Sequence, residues 1–260
     1  MLQVIHSMFD ISGKKAIVTG GTRGLGYGMA EGLLEAGCEV CIVGSGEESV
    51  AGAVKSFSEK GFSCKGVYGD LNKREEVYRV FREALESLGG DLDILVVAHG
   101  IQRRHSAEEF PLSDWDDVIN VNLNSVFILD QEAAKVMLPK GYGKIINIAS
   151  MVSWFGGQTV PAYSAAKGGV TQMTKEMSND WIKRGLNVNA IAPGYMATDM
   201  NAALTKENNP ERYQQITDRI PAGRWGTGDD MKGCCIFLAS HASDYLGGAI
   251  IPVDGGYLVK

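Results

Sequence analysis

Short apolar runs alternate along this chain with longer segments whose apolar residues recur every three or four positions. The first kind predicts buried strands and the second amphipathic helices. Lys15–Thr19 is an apolar run that ends in glycines, and Gly24–Ala36 follows it with Leu25, Met29, Leu33 and Leu34 on one helical face. The alternation then predicts strands over 39–43, 62–68, 92–98, 144–148, 186–191 and 249–253, and helices over 47–60, 73–88, 113–138, 162–184 and 229–240. Ser113 suits the N-cap of the long helix, Pro139 follows its end, and Gly185 stops the next.

Strand–helix alternation of this kind implies an α/β fold, a Rossmann-like doubly wound parallel sheet of about seven strands with helices on both faces. No linker, repeat or low-complexity tract divides the chain. Residues 1–260 therefore read as a single domain, although that length would allow two. The stretch from Tyr195 to Arg224 is polar and unpatterned. Inside a compact domain such a segment predicts a substrate lid over 195–224.

Composition narrows the partners. The formal net charge is −6 and 45% of residues are hydrophobic. An acidic globular chain argues against nucleic-acid and anionic-membrane partners. No apolar run approaches the ~18 residues of a membrane span. Met1–Asp10 lacks the basic and apolar regions of a secretory signal. Five cysteines, an odd count, suggest reduced thiols and a cytoplasmic location. Cys38 and Cys41 have C-x-x-C spacing, but on a strand they face opposite sides, so they read as small hydrophobes and no metal site is expected.

Glycine is over-represented, at 33 of 260 residues against a usual share of roughly 7%. The cluster Thr19-Gly20-Gly21-Thr22-Arg23-Gly24-Leu25-Gly26 lies between a strand and a helix. There Gly20 allows a tight turn, Gly24 lets the backbone approach a pyrophosphate, and Gly26 lets the helix pack close to the sheet. The helix N-terminus adds free N–H donors and the positive end of a dipole. A dinucleotide site follows.

The spacing T-G-x-x-x-G-x-G resembles the short-chain dehydrogenase/reductase family. Further matches follow in the family's order: Asp70-Leu71 after the third strand, Asn122 within Val121-Asn-Leu123, Ser150 after the fifth strand, Tyr163-Ser-Ala-Ala-Lys167 opening a helix, and Pro193-Gly194 with Thr198 beyond. The resemblance covers roughly Phe9 to Tyr257. It implies NAD(H) or NADP(H), held by Gly20, Thr22, Arg23, Gly24, Leu25, Gly26, Ser45, Asp70, Leu71, Ala98, Gly100, Tyr163, Lys167, Pro193, Gly194, Met196 and Thr198. It also implies that Lys167 binds the nicotinamide ribose, that Asn122 holds a water relaying protons from that lysine, and that the assembly is a homotetramer built through the long helices and the C-terminal strand region.

The residues support that chemistry independently. Tyr163 and Lys167 are four apart on a helix and share a face. A tyrosine is a poor base at its ordinary pKa of ~10, and a neighbouring ammonium favours the phenolate. The pair can therefore give or take a proton while hydride moves. Ser150, 13 positions before Tyr163, can hydrogen-bond the reacting oxygen. Asn122, Ser150, Tyr163 and Lys167 form the candidate catalytic set. Ser164 and Lys167 also match S-x-x-K, but the S-D-N and K-T-G elements of acyl-enzyme chemistry do not occur.

Two positions depart from the family pattern. Gly44 stands where NAD-users often carry Asp, so NAD and NADP both stay open, with Arg23 and Ser45 able to meet a 2′-phosphate and Glu47 or Glu48 a ribose. The usual N-N-A-G reads Val97-Ala98-His99-Gly100. His99 is then a cofactor contact, a general acid, or a packed or solvated side chain, the last being favoured.

Several stretches, among them Gly100-Ile-Gln-Arg-Arg104 and Ile220-Pro-Ala-Gly-Arg-Trp-Gly226, resemble the branch of the family that interconverts a secondary alcohol and a ketone on a sugar acid. Arg104, in a basic cluster with Arg103 and His105, is a candidate for the substrate carboxylate. Trp154, Gln158 and Tyr195 are candidate pocket walls, and Arg224-Trp225 reads as structural. Two alternatives stand beside this reading. One is a 3-oxoacyl-carrier-protein or broad carbonyl reductase of the same family, which an acidic surface disfavours for an acidic carrier. The other is a cofactor-binding protein without chemistry, which the retained Tyr163 and Lys167 disfavour.

Overall fold

A computed structural model describes residues 7–260, so the reading of Met1–Asp10 as free of a signal falls mostly outside the described residues. Strands β1 (Lys15–Thr19), β2 (Glu39–Gly44), β3 (Cys64–Tyr68), β4 (Ile94–Val97), β5 (Gly143–Ile148), β6 (Leu186–Pro193) and β7 (Ile250–Val253) form one sheet in the order β3-β2-β1-β4-β5-β6-β7. Every neighbouring pair is parallel. The expected doubly wound α/β sheet is thus the one observed. Its order reverses between β1 and β4, and in such sheets ligands bind in the crevice at that reversal, outside the carboxyl ends of the strands.

The central strands are buried on both faces, which explains their nearly unbroken apolar runs. Ala16, Val18, Val40, Ile42, Ile94 and Val96 face one core, while Ile17, Cys41, Val43, Leu95 and Val97 face the other. This is the two-residue period of a strand. Helices α1 (Gly24–Glu35), α2 (Glu47–Glu59) and α8 (Asp229–Ala239) cover the first core through Met29, Leu33, Phe57, Met231 and Leu238. Helices α3 (Arg74–Ser87), α5 (Ser125–Lys140) and α6 (Pro161–Trp181) cover the second through Val80, Phe81, Leu129, Met137 and Val170. Cys38 and Cys41 fall in different cores, and all five cysteines are unpaired.

The long helix expected over 113–138 is broken. It begins at Leu112 as α4 (Leu112–Ile119), with Pro111 and not Ser113 at the cap position. A π-helical turn, Asn120–Asn124, then leads into α5. One side chain intrudes on the hydrogen-bond ladder there, and a second anchors the turn from outside. Ser125 Oγ donates to the Val121 carbonyl, and the Asn122 amide pairs with the Ile101 main chain. Such insertions are a recognised cause of π turns. Pro139 lies inside the last turn of α5, and Gly141, at φ 67°, ends the helix in the left-handed conformation.

Segment 195–224 is also more structured than its polarity suggests. It contains a 3₁₀ turn, Asp199–Leu204, and helix α7, Pro210–Arg219. Asn209-Pro210 is a start signal there: Asn209 Oδ1 accepts from Arg212 N at 3.1 Å and the proline occupies the first turn. A third, smaller core of Met151, Ile216, Ile220, Trp225 and Tyr257 ties α7 to the C-terminal tail. Among the described residues, no helix is long and apolar enough to cross a membrane.

Candidate active site

The carboxyl ends of β1 and β4 meet at the reversal of the sheet, and the glycine loop rises from β1. Gly20 sits at φ 66° and Gly24 at φ 56°, conformations that favour glycine. A methyl group at position 26 would fall 2.1 Å from the Gly20 carbonyl oxygen, so only glycine lets α1 start this close to the strand. No side chain caps the N-terminus of α1, which leaves its backbone donors directed at the cleft. A narrow glycine cradle with free donors at a helix start fits a pyrophosphate.

The segment after β6 faces this loop. A side-chain carbon at position 24 would lie 3.3 Å from Thr198 Cγ2, and Arg23 Nε is 3.5 Å from Asp199 Oδ2. Pro193 is buried at the end of β6, Gly194 packs against Asp254, and the Met196 side chain sits in the first core, so Met196 can meet a ligand only through its main chain. On the adenosine side, Ser45 and Asp70 are exposed while Leu71 is buried in the second core. A side chain at Gly44 would run into Thr22 and Val50, so the end of β2 offers no carboxylate at that place.

The chemical groups converge beyond β4 and β5. Ser150 follows β5, and its Oγ accepts from Val152 N at 3.4 Å. Tyr163 and Lys167 project from the first turns of α6. Lys167 Nζ donates to the Ile148 carbonyl at 2.5 Å and lies 5.7 Å from the Tyr163 ring centroid. Burial pushes the Lys167 ammonium down to about 8. Burial raises the Tyr163 hydroxyl above its ordinary value, against a hydrogen bond from Ser150 and the charge of Arg104, which lower it. Lys167 is expected from the spacing to lower the tyrosine; the charge that lowers it here is that of Arg104. Asn122 is fully buried, and both ends of its amide engage Ile101 at 2.8 Å.

The substrate side is a loop cluster. Asp114 pairs with His105 Nε2 at 2.6 Å and with Arg103 Nε at 3.9 Å, leaving the exposed Arg104 between two tethered neighbours. The His105 amide donates to the Thr159 carbonyl, which ties this loop to the one bearing Trp154 and Gln158. Thr159 holds φ 62°, a strained value for a β-branched residue. Trp154 and Gln158 are exposed. Tyr195 packs between Trp225 and Tyr257, tilted against the first and edge-on to the second, with ring centroids 5.4 and 5.3 Å away. Trp225 donates from its indole to Thr217, and Arg224 grips Asp230 with both terminal nitrogens, so both hold the segment in place. Sequence reasoning misses Ser125, Thr159 and Tyr257 here; only the serine, four residues after Val121 on a helix, leaves a trace in the spacing.

The model of the short chain dehydrogenase family matches residues 14–209. The 2-dehydro-3-deoxy-D-gluconate 5-dehydrogenase of Escherichia coli is 46% identical over 258 residues, covering 99% of this chain and 100% of its own. The gluconate 5-dehydrogenase of Gluconobacter oxydans is 39% identical, covering 97% and 98%. The crystal structure of a gluconate 5-dehydrogenase from Burkholderia cenocepacia in complex with NADP and tartrate superposes with a TM-score of 0.92 at 38% identity, covering 98% of this chain and 99% of that one.

Proposed function

Because the chain belongs to the short-chain dehydrogenase family, an NAD(P)-dependent oxidoreductase family acting on CH–OH groups, we propose that it interconverts a secondary alcohol and a ketone on a sugar acid of the 2-keto-3-deoxygluconate or gluconate type. One observation carries the substrate class: among the described residues Arg104 makes no ion pair, and its charge acts on Tyr163, while Arg103 and His105 are tied to Asp114. A free guanidinium at that place suits a carboxylate.

The cofactor, once bound, supplies or accepts a hydride. The glycine loop and the start of α1 hold its pyrophosphate, with Pro193, Gly194 and Thr198 on the opposite lip. The absence of a carboxylate at Gly44 and the presence of Arg23 favour NADP(H). Ser150 and Tyr163 hydrogen-bond the reacting oxygen, and Tyr163 moves its proton. Lys167 orients the ribose and keeps positive charge near the phenol. Asn122 belongs to the relay that returns the proton, through groups of its turn not tied to Ile101. Segment 195–224 acts as the lid, and Trp154, Gln158 and Tyr195 line its mouth. A cytoplasmic homotetramer, with the exposed Phe127 of α5 as one of its contacts, completes the proposal.

A panel of sugar acids and their ketones, assayed with NAD(H) and NADP(H) in parallel by absorbance of the reduced nicotinamide, tests it. Turnover of a sugar acid and none of acyl thioesters supports the reading. The reverse would make the protein a carrier-protein reductase, and cofactor binding with no turnover of any carbonyl would make it a non-catalytic binder.

A further inference from the structure

His99 follows directly on β4, where the sheet order reverses. It is buried, and each ring nitrogen has a partner. Nδ1 lies 2.8 Å from Thr19 Oγ1, at the end of β1. Nε2 lies 2.7 Å from Ser125 Oγ and 3.0 Å from the Val121 carbonyl, in and just beyond the π turn. We propose that His99 is a positioning residue, clamping the end of β4 to the cofactor loop on one side and to the turn carrying Asn122 on the other. The proposal rests on the reading of this cleft as a catalytic one.

The hydrogen-bond directions fix the tautomer. Ser125 Oγ donates to the Val121 carbonyl at 2.7 Å, so its oxygen is left to accept from Nε2–H. Thr19 Oγ1 accepts from the Ala98 amide at 3.1 Å, so its proton is free for Nδ1; its other acceptor, the Val96 carbonyl, is 3.4 Å away. One neutral imidazole with hydrogen on Nε2 satisfies every partner. Burial and the Lys167 charge keep the ring neutral, pushing its pKa down to about 3. With both nitrogens engaged, the ring holds groups in place and has nothing to offer a ligand.

The neighbouring backbone shows what is held. A carbon on Gly20 would come within 2.8 Å of His99 Cα, so the first turn of the cofactor loop rests on the histidine main chain. A carbon on Gly100 would lie 3.2 Å from Asn122 Oδ1, and the next residue, Ile101, makes both bonds to the Asn122 amide. Residues 99–101 thus touch the cofactor loop and the Asn122 turn at once. A loose His99 would free both.

The test compares the parent enzyme with His99→Ala, His99→Gln, Ser125→Ala and the His99→Ala/Ser125→Ala pair. His99→Ala is expected to weaken NADPH binding and lower kcat by about tenfold each while the KM for the sugar acid moves less than about threefold. Glutamine can still donate toward Ser125, so His99→Gln should recover kcat to within about threefold of the parent. Ser125→Ala should reproduce the kcat loss, and the pair should be no worse than His99→Ala alone. Amide exchange, measured without ligand, should quicken by about tenfold at Ile101 and over 120–125 in His99→Ala and stay unchanged along α6. A His99→Ala protein with kcat and NADPH affinity within about twofold of the parent overturns the clamp, as does exchange quickened uniformly over the molecule. If His99→Ala does not fold, an unchanged kcat in Ser125→Ala overturns it equally. Should the parent turn over no sugar acid, the functional reading fails, while NADPH binding and amide exchange still decide the clamp.

Discussion

Lys167 Nζ points past the Tyr163 ring, 5.7 Å from its centroid, and donates to the Ile148 carbonyl. The two groups are displaced in opposite directions by the same burial, the ammonium down to about 8 and the phenol upward. With these shifts the proton resides on Tyr163, which suits a donor to a ketone oxygen. Tyr163→Phe should still bind NADPH, with affinity within about threefold of the parent, and lose turnover by at least about a hundredfold. Fluorescence titration and steady-state rates check both halves; turnover that survives the loss of the hydroxyl removes Tyr163 from the chemistry.

The depressed lysine gives a pH limb. Its positive charge is present below about pH 8 and lost as pH rises through that value. Ketone reduction at saturating cofactor should fall over the same interval. A rate that stays level to about pH 10 would show that the charge of Lys167 plays no part.

Arg104 should act on the substrate carboxylate and, through its charge, on Tyr163, but not on the cofactor. Arg104→Gln is expected to raise the KM for the sugar acid by about ten- to a hundredfold and leave NADPH affinity within about twofold. An equal loss with an uncharged alcohol of similar size would mean that the arginine does not read a carboxylate.

The glycine cradle has one position without slack. Since a methyl at position 26 would meet the Gly20 carbonyl oxygen at 2.1 Å, Gly26→Ala must push α1 away from β1. Calorimetry should show destabilisation of about 1–3 kcal/mol, with NADPH affinity reduced by at least about tenfold. An alanine variant with parental melting temperature and affinity would contradict the close approach.

Asp130 couples stability to pH. It is buried on α5, accepts from Asn147 Nδ2 at 2.9 Å, and is pushed up by burial to about 8. The folded chain keeps this proton while the unfolded chain loses it above the usual carboxylate value of 3.8. Stability from this group is therefore full below that value and declines as pH rises toward 8. Asp130→Asn should flatten the decline and be more stable than the parent at pH 8, by about 1–2 kcal/mol. Parallel pH–melting curves for the two proteins would refute the assignment.

The sequence by itself determined the sheet, the glycine cradle and the spacing of Tyr163 and Lys167. These depend on short-range rules: strand period, helix period, and glycine where backbone must approach backbone. The same rules went astray where side chains compete with the ladder. The helix expected over 113–138 opens into a π turn where Ser125 bonds the Val121 carbonyl, and Asn209-Pro210 starts a helix inside a segment that reads as loop. Only the tertiary structure decided which cations of this loop are tied, since Asp114 holds Arg103 and His105 and, among the described residues, no carboxylate holds Arg104. It alone decided that His99 is a neutral clamp, because Thr19 and Ser125 come to it from distant parts of the chain. Periodicity is written into neighbouring residues; protonation and pairing depend on what packing brings alongside.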